Sequence, residues 1–324
     1  MEKALLAAVR KAKSFLLIAH NNPDVDSAGS AVAFGLALKQ QGKKVHWHTT
    51  GTVNDQVKRV TQLADFSDKA NFAVDMIVVF DTNSPMMFNF EGVKNSKAVK
   101  VLVDHHFPKK ETNEVFDFLV CDDKAKSTTV LVYRLLKAMK VKLDHEKALV
   151  LAAGMVTDTA NFIAADDALF RDLSAALREG GVSFQEVLRF ITVPMDASEK
   201  IARMKAAQRV QYFREGDWLI ATSRVSAFEG SIAQMLVQMG ADVSFVASDN
   251  HGEAKISARA RDEVTELGLH LGRDVMPHAA KLLKGDAGGH AAAAGATGTD
   301  PNSLDAALGI VVEKTREFLK NRKK

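Results

Sequence analysis

The sequence predicts an α/β protein: a doubly wound, mainly parallel sheet, then a helical linker and a smaller α/β unit. Three observations carry this expectation. The 324 residues exceed one typical domain and leave room for two cores. From residue 14 onward, short apolar runs alternate with longer stretches of helical period, the signature of βαβ units. The runs themselves are almost wholly apolar, as strands are when helices cover both faces of a sheet.

In chain order, 15–19 reads as a buried strand and 27–41 as a helix rich in Ala, Leu and small residues, stopped by Gly42. Residues 45–49, 76–80 and 99–103 supply three further strands. Helices are expected over 128–139, 146–156, 168–178 and 184–190. The rhythm changes near Pro194, and the charged segment 198–214 reads as a helical connector. Beyond it, strands are expected at 218–223, 243–247 and 255–260, and helices at 232–239 and 304–319. The Gly/Ala-rich stretch 285–298 is too glycine-dense at its start for a helix interior. The expected domains are therefore 1–193 and 215–324, with a linker over 194–214 and a solvated basic tail at 320–324.

Composition narrows the class. Hydrophobic residues at 47% and charged residues at 26% exclude disordered and fibrous architectures. Basic and acidic residues number 43 and 40, a net charge of +3, so any anion site is local rather than a coating for nucleic acid. The single cysteine, Cys121, rules out an internal disulfide or a Cys-based zinc site; it reads as a small buried residue in a reducing compartment. Arg10, Lys11 and Lys13 interrupt the N-terminal stretch, and no apolar run reaches about 18 residues. The expected location is the cytoplasm, with no membrane partner.

Open α/β sheets collect functional side chains just past the carboxyl ends of their strands. Here those positions hold His20, Asp24 and Asp26 after 15–19, Asp81 after 76–80, and Asp104, His105 and His106 after 99–103; the helix over 146–156 runs into Asp158. Carboxylates gathered in one place repel each other unless cations neutralise them. Carboxylate plus imidazole without thiolate suits Mn²⁺, Mg²⁺, Fe²⁺ or Zn²⁺, with donors enough for two ions sharing a bridging carboxylate. Two such ions, about 3.5–4 Å apart, generate a hydroxide nucleophile and stabilise in-line displacement at phosphorus, so phosphoester hydrolysis is the expected chemistry. One aspartate at a strand end is as readily a helix cap, but the co-occurrence over four segments is not explained by caps. His46 and His48 read as structural and His251 as a turn residue, while His270 and His278 lack spaced partners. No phosphate-binding Walker loop, dinucleotide glycine fingerprint or His-Glu-x-x-His is present.

The loop His20-x-x-x-Asp24-x-Asp26, with Asp81-Thr82, Asp104-His105-His106 and Thr157-Asp158-Thr159, resembles in order and spacing the four metal-site motifs of the DHH phosphoesterase family. Ser127-Thr128 and Phe162 look like further family features. Ser257-Ala258-Arg259 and Gly288-Gly289-His290 resemble the substrate-binding signature of the associated C-terminal domain, so the likeness covers nearly the whole chain. It implies that His20, Asp24 and Asp81 hold one Mn²⁺ and that Asp26, Asp81, His105 and Asp158 hold another, Asp81 bridging, with Mg²⁺ or Co²⁺ as substitutes. It further implies that Asp104 orients the neighbouring imidazoles and that His106 contacts the scissile phosphate or protonates the leaving oxygen. Ser257, Arg259, Gly288, Gly289 and His290 would bind substrate.

The activity so implied is Mn²⁺-dependent hydrolysis of short single-stranded oligonucleotides, as in NrnA-type oligoribonucleases, or of the mononucleotide phosphoester 3′-phosphoadenosine 5′-phosphate. A DHH-type inorganic pyrophosphatase and a linear or cyclic dinucleotide phosphodiesterase are the alternatives. A non-catalytic nucleic-acid-binding relative is disfavoured because every ligand position is retained, and a homodimer is allowed. Two departures stand out: Ala287 replaces the first of three glycines before His290, and Ala160 stands where the fourth motif commonly has Gly. Altered loop backbone or substrate preference is expected from them, not lost metal binding.

Overall fold

Two sheets, each with its own apolar core, organise the chain, which divides into compact units over residues 1–193 and 194–324. The structure, a computed structural model, describes residues 2–320 and 322 except 108 and 251. The turn expected at His251 and much of the basic tail therefore lie outside the described residues. Among the described residues, no helix is long and apolar enough to cross a membrane.

In the first unit β1 (Ser14–Ala19), β2 (Lys44–His48), β3 (Phe66–Ser67), β4 (Met76–Phe80), β5 (Val99–Asp104) and β6 (Phe118–Cys121) form one sheet in the order β3-β2-β1-β4-β5-β6. Every pairing is parallel, as the apolar runs predicted. Strand β1 shows why its run is uninterrupted: Phe15, Leu17 and Ala19 enter the core on one face, Leu16 and Ile18 that on the other. Winding proceeds outward from β1 to β3, then restarts at β4 and runs the other way. The reversal between β1 and β4 is a topological switch point, where the loops leaving the two carboxyl ends part and open a crevice.

Small residues let helices close on this crevice. Asp24 caps the helix Val25–Gln40, which carries Gly29 toward helix His145–Asp158. A Cβ at Gly29 would lie 2.9 Å from the Val150 carbonyl oxygen, a separation only glycine permits. On the opposite flank, the Trp47 indole donates to the Ala31 carbonyl at 2.9 Å and lies flush against Gly35. His48 on β2 is buried and lies 3.0 Å from the Ser67 carbonyl through Nδ1, while His46 is exposed. Cys121 departs from expectation: it is exposed, because β6 is a four-residue edge strand with a neighbour on one side only.

The second unit is a mixed sheet of β7 (Gln211–Glu215), β8 (Trp218–Val225), β9 (Val243–Asn250), β10 (Glu253–Ala260), β11 (Gly285–Gly289) and β12 (Ala293–Gly298), ordered β11-β12-β10-β9-β8-β7. Only β8 and β9 run parallel. The connector expected to stay helical to 214 is helix Ala197–Gln208 followed by β7, because Gly216 at φ 60° turns the chain back onto β8. Ala254, Ile256 and Ala258 face the core under helices Met276–Leu283 and Leu304–Leu319. The intervening Lys255, Ser257 and Arg259 take the other face, where Gly295 stands opposite Ser257 and Gly288 opposite Gly295.

Gly35 tests the packing of the first unit. A Cβ there would lie 2.4 Å from the Trp47 ring, so Gly35→Ala should cost about 1–3 kcal/mol by overpacking. Urea unfolding measures it; an unchanged midpoint would show that the indole has room to move.

Candidate metal centre

The loops after β1, β4 and β5 and the end of helix His145–Asp158 converge, bringing together His20, Asp24, Asp26, Asp81, His105, His106 and Asp158. Three groups of donors each place one ligand atom per residue within 4.8 Å of the others: His20 with Asp24 and Asp81, Asp26 with His105 and Asp158, and Asp81 with His105 and His106. Asp81 belongs to two groups and so lies between the sets. It is buried, and its backbone is held at φ 62°, a left-handed conformation that a non-glycine residue keeps only when its surroundings impose it.

Each side chain is aimed by a bond on its far side. His20 Nδ1 faces the Asn21 carbonyl at 3.0 Å, turning Nε2 to within 3.8 Å of both Asp24 and Asp81. His105 Nδ1 faces the Ala125 carbonyl, and its Nε2 lies 3.4 Å from Asp81 and 3.3 Å from Asp158. With Nδ1 carrying the proton, each ring presents an Nε2 lone pair to the acids. His106 is turned the other way. Its Nδ1 donates to buried Asp104 at 2.7 Å, and the ring is half exposed.

Asp26 is gripped by the start of helix Thr128–Ala138. Oδ2 accepts from the Thr128 amide at 2.6 Å; Oδ1 accepts from the Thr129 amide at 2.9 Å and hydroxyl at 2.6 Å. The Thr128 hydroxyl donates to Asp81 at 2.8 Å, so one helix start orients two acids. Sequence reasoning picked out Thr128 only as a motif feature and missed Thr129. It also missed Gly154, where a Cβ would fall 2.8 Å from Asp26 Oδ1; a glycine inside a helix-forming run was the available signal.

The electrostatics match a cation site. Burial and the Asp158 charge push Asp26 up to about 7; burial and Asp24 push Asp158 up to about 6. Burial, with Asp26 and Asp24 adding, also raises Asp81 well above the usual carboxylate range. Asp24 is the exception: burial would raise it, but bonds from His20 and the Ser27 amide outweigh burial and hold it low. His106 is raised by its bond to Asp104. Hard carboxylate oxygens and imidazole nitrogens, crowded at a cost that positive charge removes, suit divalent ions of the Mn²⁺ type.

A cavity of about 420 Å³ lies over the centre, lined by His20, Asp24, Asp81, Asn83, His106 and Phe107 among others. A larger groove of about 870 Å³ follows β7 and helix Leu304–Leu319, but no imidazole lines it. The smaller cavity, lined by His20, Asp24, Asp81, His106 and Asp158 of the donor set, is the functional candidate.

Ser257, Arg259, Gly288, Gly289 and His290 lie in the second unit. Ser257, Arg259 and Gly288 share the sheet face on which helix Glu229–Gln238 packs, where Ser257 is buried and Gly288 exposed, while Gly289 and His290 enter the turn from β11 to β12. Gly289, at φ 132°, is required by the turn: a Cβ would meet the Ala293 oxygen at 2.5 Å. At Gly288 no described atom lies within 4 Å of a Cβ, so chain packing does not call for glycine there. Ala287 packs against the unit's core, which keeps its methyl off the face that carries Gly288. Ala160 begins three consecutive left-handed residues, Ala160, Asn161 and Phe162, at φ 49°, 56° and 75°.

Two outcomes follow from this geometry. Asp26 and Asp158 stay protonated in the folded chain at a pH where unfolded carboxylates, near 3.9, have released their protons. The contribution of these two groups to the stability of the metal-free protein is therefore full below about pH 4 and is lost as pH rises through 6 to 7. Thermal melts from pH 5 to 8 should fall, and a divalent cation should flatten the slope; a level metal-free profile would contradict the repulsion. Ala160→Gly should stabilise by about 1 kcal/mol, since a left-handed Cβ costs roughly that much; a lower melting temperature would rule this out.

Residues 14–155 match the DHH family, N-terminal domain, and residues 227–317 match the DHHA1 domain. The uncharacterized protein MJ0988 of Methanocaldococcus jannaschii is 28% identical over 297 residues, covering 88% of this chain and 87% of that protein. The cyclic-di-AMP phosphodiesterase GdpP of Bacillus subtilis is 24% identical over 279 residues, 81% of this chain but 41% of its own length. The probable bifunctional oligoribonuclease and PAP phosphatase NrnA of Streptococcus mutans is 25% identical over 161 residues, 50% of each chain. The chain thus spans half or less of the length of the latter two. In fold it resembles an exopolyphosphatase-related protein from Bacteroides fragilis, with a TM-score of 0.66 and 18% identity over 98% of this chain and 96% of that one. The matched domains and the converging acids and imidazoles make this chain a member of the DHH family, a phosphoesterase whose DHH domain is followed by a DHHA1 domain.

Proposed function

We propose that the protein is a Mn²⁺-dependent phosphodiesterase that hydrolyses short single-stranded oligonucleotides, with 3′-phosphoadenosine 5′-phosphate as a further substrate. The observation that carries this reading is the convergence of Asp24, Asp26, Asp81 and Asp158 with His20 and His105 at the switch point of the sheet. His20, Asp24 and Asp81 would hold one ion and Asp26, Asp81, His105 and Asp158 a second, with Mg²⁺ or Co²⁺ as substitutes. Bound there, such ions supply an acidified water and stabilise charge on the phosphoryl oxygens.

The chain's own residues do the rest. Asp104 holds the Nδ1 proton of His106 and leaves Nε2 free toward the cavity that ring lines. Because that bond raises the basicity of His106, it favours the protonated ring, which can pass a proton from Nε2 to the departing oxygen. In the second unit, Arg259 and His290 offer donors to phosphate, and Gly288 leaves an open position for a planar group. That open position favours a nucleotide over pyrophosphate, as do the nucleotide substrates in the names of GdpP and NrnA. The single exposed thiol fits a cytoplasmic setting.

The test is a Mn²⁺ assay comparing RNA of about two to five nucleotides, matching DNA, 3′-phosphoadenosine 5′-phosphate and pyrophosphate. The shortest RNA should be cleaved fastest and pyrophosphate hardly at all. Asp81→Ala and His105→Ala should each lose about a hundredfold or more. Preferred turnover of pyrophosphate would replace this reading, and full activity in both variants would refute the site.

A further inference from the structure

Phe107 directly follows His106 and is 77% exposed, yet it lines the cavity over the acids and imidazoles. Exposure here does not come from a loose backbone. Buried Asn83, two residues after Asp81, donates from Nδ2 to the Phe107 carbonyl at 2.6 Å. The same cavity wall carries Met87, whose carbonyl accepts from the Asn21 amide at 2.6 Å and whose amide donates to the Ser84 carbonyl at 3.0 Å. Its neighbour Met86 is 88% exposed and accepts from Asn21 Nδ2 at 3.3 Å. The next aromatic after these methionines, Phe88, is buried in the core on that side of the sheet, so a place in the interior is not lacking for rings.

The centre thus has a floor of charged and imidazole groups and a rim of apolar side chains fixed through their backbones. A phosphate or pyrophosphate ion has nothing apolar to offer such a rim. A nucleotide does: it joins a phosphodiester to a planar, apolar-faced base within reach of one small cavity. Resting on the phosphodiesterase reading above, we propose that Phe107, flanked by Met87, is a stacking platform for a nucleobase adjoining the scissile phosphate. Phe107 is then a specificity-determining residue that selects nucleotides over inorganic polyphosphates. Stacking tolerates any base because every base has a π-face, so the platform selects for the presence of a base and not its identity.

The experiment uses the full chain with Mn²⁺ and two labelled RNA dinucleotides, one complete and one lacking both bases. Phe107→Ala should raise KM on the complete dinucleotide by about tenfold, in line with the loss of one base–aromatic stack, and leave kcat within about twofold. On the base-free dinucleotide the wild type should already show the high KM, and Phe107→Ala should leave it unchanged. Phe107→Trp should restore the wild-type KM. Circular dichroism melts should coincide for all three proteins, because the ring is largely outside the core. An equal effect on both dinucleotides, or none on the complete one, overturns the platform while leaving the phosphodiesterase reading intact. Failure of the wild type to cleave either dinucleotide overturns both.

Discussion

Like charge gathered in a dry place is the constraint around which the first unit is arranged. Asp26 and Asp81 are almost wholly enclosed, Asp158 is partly so, and each is pushed toward its neutral form by burial and by its neighbours. An enclosure of this kind persists only if other groups meet the cost. Amides and hydroxyls at the start of helix Thr128–Ala138 meet part of it, and the imidazoles of His20 and His105 meet another part. What they leave unmet is positive charge, and that deficit supports assigning divalent ions to the cluster.

The fold makes the crowding possible before any ion is considered. Reversal of winding between β1 and β4 opens the crevice, and the glycines at 29 and 154 let the helices beside it approach closely. Gly154 joins packing to chemistry, since the space it leaves free is taken by Asp26 and Thr129. Asp24 likewise serves twice: one oxygen caps a helix while the other faces His20. The bland reading of such an aspartate as a cap and the functional reading as a ligand therefore describe different atoms of one side chain.

Legibility followed burial. Strands β1 and β4 were plain in the sequence because both faces lie against apolar cores, which leaves an unbroken hydrophobic run. Strand β7 was hidden by its charged residues, as an edge strand with half-exposed side chains carries no such run. The glycine-rich strands β11 and β12 were hidden because glycine lacks the side chain that propensity reads. Within the centre, the acids and imidazoles could be found because each lies just beyond a strand or helix end. The grip on Asp26 could not, since backbone amides 102 and 103 residues away supply it and an amide leaves no mark in the sequence. The opposite settings of His105 and His106, adjacent in the chain, likewise become visible only through their Nδ1 partners.

All the donors proposed to hold ions fall between His20 and Asp158, inside one unit, whereas the open position at Gly288 belongs to the other. On the reading proposed above, the residues that would hold ions and the residues of the second unit that would bind substrate are encoded in separate stretches, and Phe107 alone joins selection to the first. If the hairpin around Gly288 binds substrate as proposed, substitutions there retune what is accepted while the acids and imidazoles that would hold the ions stay as they are.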